Sequence, residues 1–328
     1  MTRTQAFRAA TALATVALAA SALSACGAGG AGSGGKKVIG VAVADQKSLF
    51  YVAEVAGIKA EAKKRGYKIK LVSANNDSNL QIKQVNDLIT QQVGSLIFTS
   101  QDSTAAAAGV KAANAADIPV IAVDQRPENG QGKLATYIAT DSVKAADQLC
   151  TWMFSQIGGS GDIAILHGVL GSTAEIQRTQ GCKDALAKNK NIKVVAQETA
   201  NWDETEAYKA TQNILTAHPE IKAVFAESDA MGLGAAKAAK AANKQIVSVG
   251  IDGFPTMFDG ISQGLTQATM AQQPYKMGKI AVDNAISLMT GKGSVPKLQY
   301  QNTVLINKDT VGNYKATQFY GPNANSFK

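Results

Sequence analysis

The chain has 328 residues, 45% of them hydrophobic and 18% charged, with three cysteines and two histidines. That length fits about two domains with ample cores, and the composition excludes a disordered chain, zinc clusters, haem ligation and iron–sulfur binding. The formal charge is +8, but two of the basic residues, Arg3 and Arg8, precede an apolar run at the N-terminus, and the lysines are scattered along helices, as at Lys59, Lys63 and Lys64. A solvated face is expected, with no nucleic-acid partner.

Residues 1–25 read as a secretory signal peptide: a basic start, a short apolar stretch from Ala9 to Ala22, and Leu23-Ser24-Ala25-Cys26 at its end. That end resembles the lipobox of bacterial lipoproteins, in which cleavage leaves the cysteine, here Cys26, first in the chain and lipidated. Residues 26–36 are rich in Gly and Ser, a flexible tether. Their Gly27-x-Gly29-x-x-Gly32 spacing follows a cleavage site and no strand, so it lacks the context of a dinucleotide fingerprint. The expected location is outside the cell, lipid-anchored to the outer face of its membrane.

From Lys37 onward, short apolar runs alternate with amphipathic stretches. Strands are predicted at Val38–Ala44, Ile69–Ser73, Ser95–Thr99, Pro119–Val123 and Thr136–Ala139, with helices at Phe50–Arg65, Leu80–Gln92 and Thr104–Ala116 between them. A second series follows: strands Asp162–His167, Lys193–Glu198, Ala223–Ala226 and Ile246–Ile251, and helices Thr173–Lys188, Glu204–Ala217 and Ala230–Ala242. Continuously apolar strands linked by helices of this length predict an α/β fold of two doubly wound parallel-sheet domains. Cys150 and Cys182 fall in successive helices, where an exported protein accommodates either a disulfide or two buried thiols.

Ligands of such sheets bind beyond the carboxyl ends of the strands. The residues there are polar: Asp45, Gln101-Asp102 and Asp124-Gln125-Arg126 in the first series, then His167, Trp202, Ser228-Asp229, Asp252 and Gln272. Two such mouths facing one another form an interdomain cleft flanked by Phe50, Tyr51 and Trp202. Carboxylates and amides suit vicinal hydroxyls, and aromatic faces suit sugar C–H groups, so a neutral polyhydroxylated ligand is expected. Several residues have plainer readings. Asp102 and Asp141 fit helix caps, and Trp202 fits a rim residue packing the next helix. Asp124 and Asp252 precede Pro127 and Pro255 rather than evident helices, which favours ligand binding. His167 and His218 lack metal-spaced partners and read as structural; no metal and no cofactor is expected. No Gly-x-Ser-x-Gly elbow, phosphate-binding loop or His-Glu-x-x-His is present, so the chain reads as a binder and not an enzyme.

Gln212–Pro219, Ala223–Asp229, Val249–Gly253, Ala268–Gln272, Ile118–Asp124 and Ile138–Asp141 together resemble the sugar-binding proteins of bacterial ABC importers, of the ribose and galactose type. The resemblance runs colinearly from Lys37 to about Asp309. It implies two lobes of the type I periplasmic binding protein kind joined by three crossings, 37–140 plus 273–302 and 141–272 plus 303–328. Matching positions imply Ser48, Phe50, Tyr51, Thr99, Asp124, Gln125, Trp202, Ser228, Asp252 and Gln272 as ligand contacts, with Thr140 and Gln272 at the hinge. An arginine of the ribose proteins falls on Ile176, another on Gln125 beside Arg126, and two asparagines on Ser48 and Ser228. These departures imply a pentose, hexose or acyclic polyol other than D-ribose. A monomer that delivers its ligand to a membrane permease is expected. The alternatives are a subunit presenting ligand to a membrane receptor or kinase and, behind it, a lipoprotein glycosidase.

Overall fold

The computed structural model describes residues 37–127 and 131–326. The signal peptide 1–25, the lipidation candidate Cys26 and the tether 26–36 lie outside the described residues. Among the described residues, no helix is long and apolar enough to cross a membrane.

The first series comprises β1 (Val38–Val43), α1 (Leu49–Arg65), β2 (Lys68–Ser73), α2 (Ser78–Thr90), β3 (Ser95–Phe98), α3 (Ala106–Ala115), β4 (Val120–Val123) and β5 (Thr136–Thr140). The second runs α4 (Ser142–Gln156), β6 (Gly161–His167), α5 (Thr173–Lys188), β7 (Ile192–Thr199), α6 (Glu204–Ala217), β8 (Ala223–Ala226), α7 (Asp229–Ala241), β9 (Val247–Asp252), α8 (Pro255–Ser262) and β10 (Ala268–Ala271). The chain finishes with α9 (Pro274–Thr290), β11 (Leu298–Gln301), β12 (Val304–Asn307) and the short α10 (Thr317–Tyr320).

Local chemistry sets most of these boundaries. Asp77, Asp141, Ser172, Asp203 and Ser228 each cap a helix by accepting a backbone N–H with the side chain. Helix α1 closes on Lys63, Lys64 and Arg65, whose charge complements the carbonyl end, followed by Gly66. Pro255 corrects the sequence reading, because a helix does follow Asp252. Proline is well placed at the first helical position, where its missing N–H would have had no intrahelical acceptor, and α8 begins there. Pro274 opens α9 in the same way.

The strands form two six-stranded sheets, ordered β11-β5-β4-β3-β1-β2 and β12-β10-β9-β8-β6-β7. The first is parallel throughout, and the second carries β12 as an antiparallel edge on β10. Alternate residues enter opposite cores. Val41, Ile97 and Ile121 pack under α1 and α9, whereas Ala42, Phe98 and Val120 pack under α2 and α3. In the second lobe Ile163, Phe225 and Val249 face α4 and α5, and Ala164, Val224 and Ala226 face α6 and α7. Burial on both faces explains the unbroken apolar runs. Cys150 of α4 and Cys182 of α5 are disulfide-bonded, with Cα atoms 5.5 Å apart.

The chain passes between the sheets after β5, after β10 and between β11 and β12. Beyond β12 the chain does not stay with one lobe. Phe319, Tyr320 and Ala324 share a core with residues of α1 and α9 and with Phe254 and Phe258 at the start of α8. The Tyr320 ring meets Phe254 edge-on at 5.6 Å, and its hydroxyl donates to the Asp252 carbonyl at 3.1 Å. The terminal segment therefore seals the seam between lobes.

Candidate functional site

A cleft of about 510 Å³ lies between the carboxyl ends of the two sheets. Eight of the ten nominated contacts line it: Ser48, Phe50, Tyr51, Asp124, Gln125, Trp202, Ser228 and Asp252. Thr99 and Gln272 sit one layer behind. The Thr99 hydroxyl donates to Glu54 Oε1 at 2.7 Å. Gln272 accepts the Thr140 hydroxyl at 2.6 Å and donates to Asp252 Oδ1 at 2.9 Å, tying the end of β5 to the floor of the second lobe.

Asp124 leaves β4 in the left-handed region, φ 55°, an uncommon conformation for a residue other than glycine. Its backbone is secured on both sides, the N–H by Ile138 and the carbonyl by the Tyr137 hydroxyl. Its carboxylate, in a residue 8% exposed, receives no hydrogen bond from any described residue. Burial pushes its pKa up to about 6 against the pull of Arg178.

Asp252, 5% exposed, arrives from the other lobe and is braced. Its carboxylate accepts Gln272 Nε2 and, at 3.3 Å, the Asp229 N–H, and lies 3.8 Å from Arg178 Nη1. Asp229 anchors the same turn by accepting the N–H groups of Gly253 and Phe254 and the Thr269 hydroxyl, each at 2.7 Å. Burial, with Asp229 adding repulsion, raises the Asp252 pKa in spite of Arg178.

The residue that joins these features was missed at the sequence level. Arg178 is 3% exposed, donates through Nη1 to the Glu227 carbonyl, and keeps a buried Nε–H without a partner. Its guanidinium lies 5.5 Å from the Trp202 ring centroid. The family comparison had put the arginine position on Ile176, which is 53% exposed. Two residues turn a helix by about 200°, so Ile176 and Arg178 occupy opposite faces of α5. A signal was available: Ala174, Arg178, Cys182 and Ala185 follow helical spacing, and an arginine inside that stripe of small residues is anomalous. Glu54 repeats the pattern in α1, between Phe50 and Ile58. It is fully buried with Oε2 unpartnered, and burial raises its pKa to about 8.

The walls are aromatic. Phe50 and Tyr51 meet edge to face at 5.6 Å, and Asp45 sets their approach by accepting the N–H groups of Lys47 and Ser48. Trp202 rests directly on Gly168, where any Cβ would fall about 2.0 Å from the indole. Ser228 lines the cleft while capping α7, and Phe254 adds an aromatic face that the sequence reading did not nominate. Asp102 and Asp141 act as turn and helix caps.

The lobes are hydrogen-bonded across one edge of the cleft. Arg126 and Thr173 exchange two bonds at 3.0 and 3.2 Å, Ala174 N–H donates to Gln125 Oε1, and the Ser103 hydroxyl donates to the Gly171 carbonyl. Behind this edge, His167, Glu175 and Glu227 bring possible metal-binding atoms within 4.8 Å of one another. Their carboxylate oxygens are already engaged by Thr179, Gly168 N–H, Gly171 N–H and the imidazole. That network accounts for the cluster as a brace for loop 168–171, and the Glu227 hydrogen bond raises the His167 pKa.

Residues 39–293 match the model of the periplasmic binding protein domain family. The ribose import binding protein of Bacillus subtilis (strain 168) is 37% identical over 254 residues, 77% of this chain and 82% of that protein. A xylitol-binding protein of Mycolicibacterium smegmatis is 37% identical over 230 residues, 70% of this chain and 65% of its own. An ABC transporter solute binding protein of Bacillus halodurans, solved with myo-inositol, superposes with a TM-score of 0.81 at 29% identity, covering 86% of this chain and 98% of its own.

Proposed function

The chain belongs to the periplasmic binding protein domain family, and from that membership we propose that it is the substrate-binding lipoprotein of an ABC importer, capturing a monosaccharide or sugar alcohol between its lobes and delivering it to a membrane permease. The observation that carries this reading is the convergence of Asp124 and Asp252 from opposite lobes on one buried arginine between aromatic walls. Such a floor offers acceptors and donors to several hydroxyls at once, and the walls cover the ligand's apolar edges. The curated relatives are named for ribose and xylitol, which supports a polyhydroxylated cargo.

The mechanism is a clamp. Contacts available only when both carboxylates reach the same ligand favour the closed arrangement by the difference in affinity between states. The bonds of Gln125, Arg126 and Ser103 to α5 and its preceding loop then hold the closed edge that a permease reads. The two moving bodies are 37–140 plus 273–302 and 141–272 plus 303–328, with Thr140 and Gln272 at the hinge and the terminal segment around Tyr320 packed on both lobes at the seam, and the ligand leaves unchanged. Lipid on Cys26 retains the protein at the membrane, and a Cys26→Ala substitution should release it into the medium.

The decisive experiment is thermal unfolding of the body, residues 35–328, which forms one compact unit, against pentoses, hexoses and polyols. Ligand near a thousand times Kd should add about 4 kcal/mol and raise the midpoint by several degrees. Ligand-free, folded protein that responds to none of them rules out carbohydrate capture, and chemical turnover of a responding ligand makes the protein an enzyme.

A further inference from the structure

Acidic groups outnumber basic ones around the cleft, although burial keeps Glu54 protonated to about pH 8. Five carboxylates are buried in it or directly behind it, from Asp45, Glu54, Asp124, Asp229 and Asp252, against the single buried guanidinium of Arg178. Four of the five have partners within the protein. Asp45 holds the turn before α1, Glu54 takes the Thr99 hydroxyl, Asp229 collects two N–H groups and a hydroxyl, and Asp252 is held by Gln272 and the Asp229 N–H. Asp124 feels the attraction of Arg178 but receives no hydrogen bond on its carboxylate from any described residue, although it is more than nine-tenths buried and lines the cleft. Arg178 donates to the Glu227 carbonyl, lies over the Trp202 face and approaches Asp252 at 3.8 Å, while its buried Nε–H has no partner among the described residues. At the mouth, Asp203, Glu204 and Glu206 extend the acidic surface, opposed by the exposed Lys47 and by Lys237, which pairs with Glu204.

Resting on the sugar or polyol reading above, we propose that polyols bearing a protonated amine are a ligand class of this cleft, with the ammonium seated against Asp124, and that the corresponding acids and phosphate esters are rejected. An ammonium brings three donors to a carboxylate that has none among the described residues, and hydrogen bonds between charged partners are roughly twice as strong as neutral ones. The neighbouring Phe50–Tyr51 pair adds aromatic faces suited to a cation. The acidic mouth concentrates cations and repels anions before entry. An anionic group at the same depth would face Asp124 with water excluded, an arrangement that discriminates by repulsion. Burial disfavours charge on Asp124 and Asp252, so a cation between the lobes favours their ionised forms, and binding of an amine releases protons.

Calorimetric titration of the purified protein with matched triads tests this: glucose, glucosamine and glucuronate; xylitol, its terminal amine and xylonate. In at least one triad the amine should bind no more weakly than the neutral member, with the acid weaker by about a hundredfold. Enthalpies measured in buffers of different ionisation heat should show more protons released by the amine than by the neutral ligand. A neutral member that binds while both amines are weaker by about tenfold or more overturns the proposal and leaves sugar capture standing. Binding by no member of either triad overturns the proposal and leaves sugar capture to be decided by the wider unfolding screen. Gln125→Arg, which sets a cation beside Asp124, should abolish the amine preference. Persistence of the preference in the arginine variant also overturns the proposal.

Discussion

Asp124 and Asp252 reach the same cleft from opposite lobes, and they are held in opposite ways. The second lobe offers a finished assembly: Asp252 braced by Gln272 and Asp229, Arg178 oriented by Glu227, and α4 stapled to α5 by a disulfide. The first lobe offers a carboxylate on a left-handed backbone that receives no hydrogen bond from any described residue. One side is preorganised and the other is left for the ligand to complete. A clamp of this kind closes on its ligand because the open acceptor is satisfied only across the gap.

The largest effect expected from testing this contrast is at Arg178. Arg178→Ala should weaken binding at least about a hundredfold and cost about 3–5 kcal/mol of stability, since it strips buried carboxylates of their cation. Calorimetry and denaturant titration measure the two losses separately, and Arg178→Lys should recover only part, lacking the planar fork. Removing the disulfide with Cys150→Ala and Cys182→Ala should cost about 3–4 kcal/mol for a loop of this length. Hydrogen exchange should locate the loosening in α4 and α5 and leave α1 to α3 protected; uniform loosening would contradict the division of labour between lobes.

The two aspartates provide the sharpest comparison. Asp252→Asn replaces an oxygen that serves an internal donor, so it should cost about 1–3 kcal/mol of stability in addition to affinity. Asp124→Asn should weaken binding about tenfold or more and leave unfolding nearly unchanged, because asparagine tolerates the left-handed backbone and no internal bond is lost. Equal stability losses in the two variants would show that the lobes are not held differently.

The last test is with pH. Glu54 keeps its proton in the folded protein to about pH 8 and loses it near its ordinary value when unfolded. The folded state therefore binds more protons between these limits. Stability contributed by the protonated form is complete below the unfolded value and is lost as pH rises through about 8. Glu54→Gln should flatten the decline in denaturation midpoint over that window. An unchanged slope would assign the decline to Asp252, whose pKa is raised in the same direction.

Much of the scaffold was legible because it depends on neighbours in sequence. The strands from Val38, Ser95 and Ala223 announce themselves as apolar runs, and α5 and α6 begin at cap residues that recruit the next turn's N–H groups. The polar residues at strand ends were legible too, since parallel sheets direct them to one edge. Pro255 was misread because its compatibility with a first helical turn was overlooked. Arg178 escaped because an offset of two residues reverses the face of a helix; Thr99 and Gln272, nominated from the family resemblance, stand one layer behind the cleft lining.

Periodicity, capping and composition act over a few residues, so they specify elements and the edge at which polar groups collect. Which of those groups meet is a matter of long-range packing. The pairing of Asp124 with Asp252 across two lobes, the insertion of Arg178 between them and the return of Tyr320 to the Asp252 carbonyl bring together residues far apart in the chain. Burial then does what no local pattern encodes: it removes water from several carboxylates at once, raises their pKa values, and leaves the Asp124 carboxylate without a hydrogen bond from any described residue.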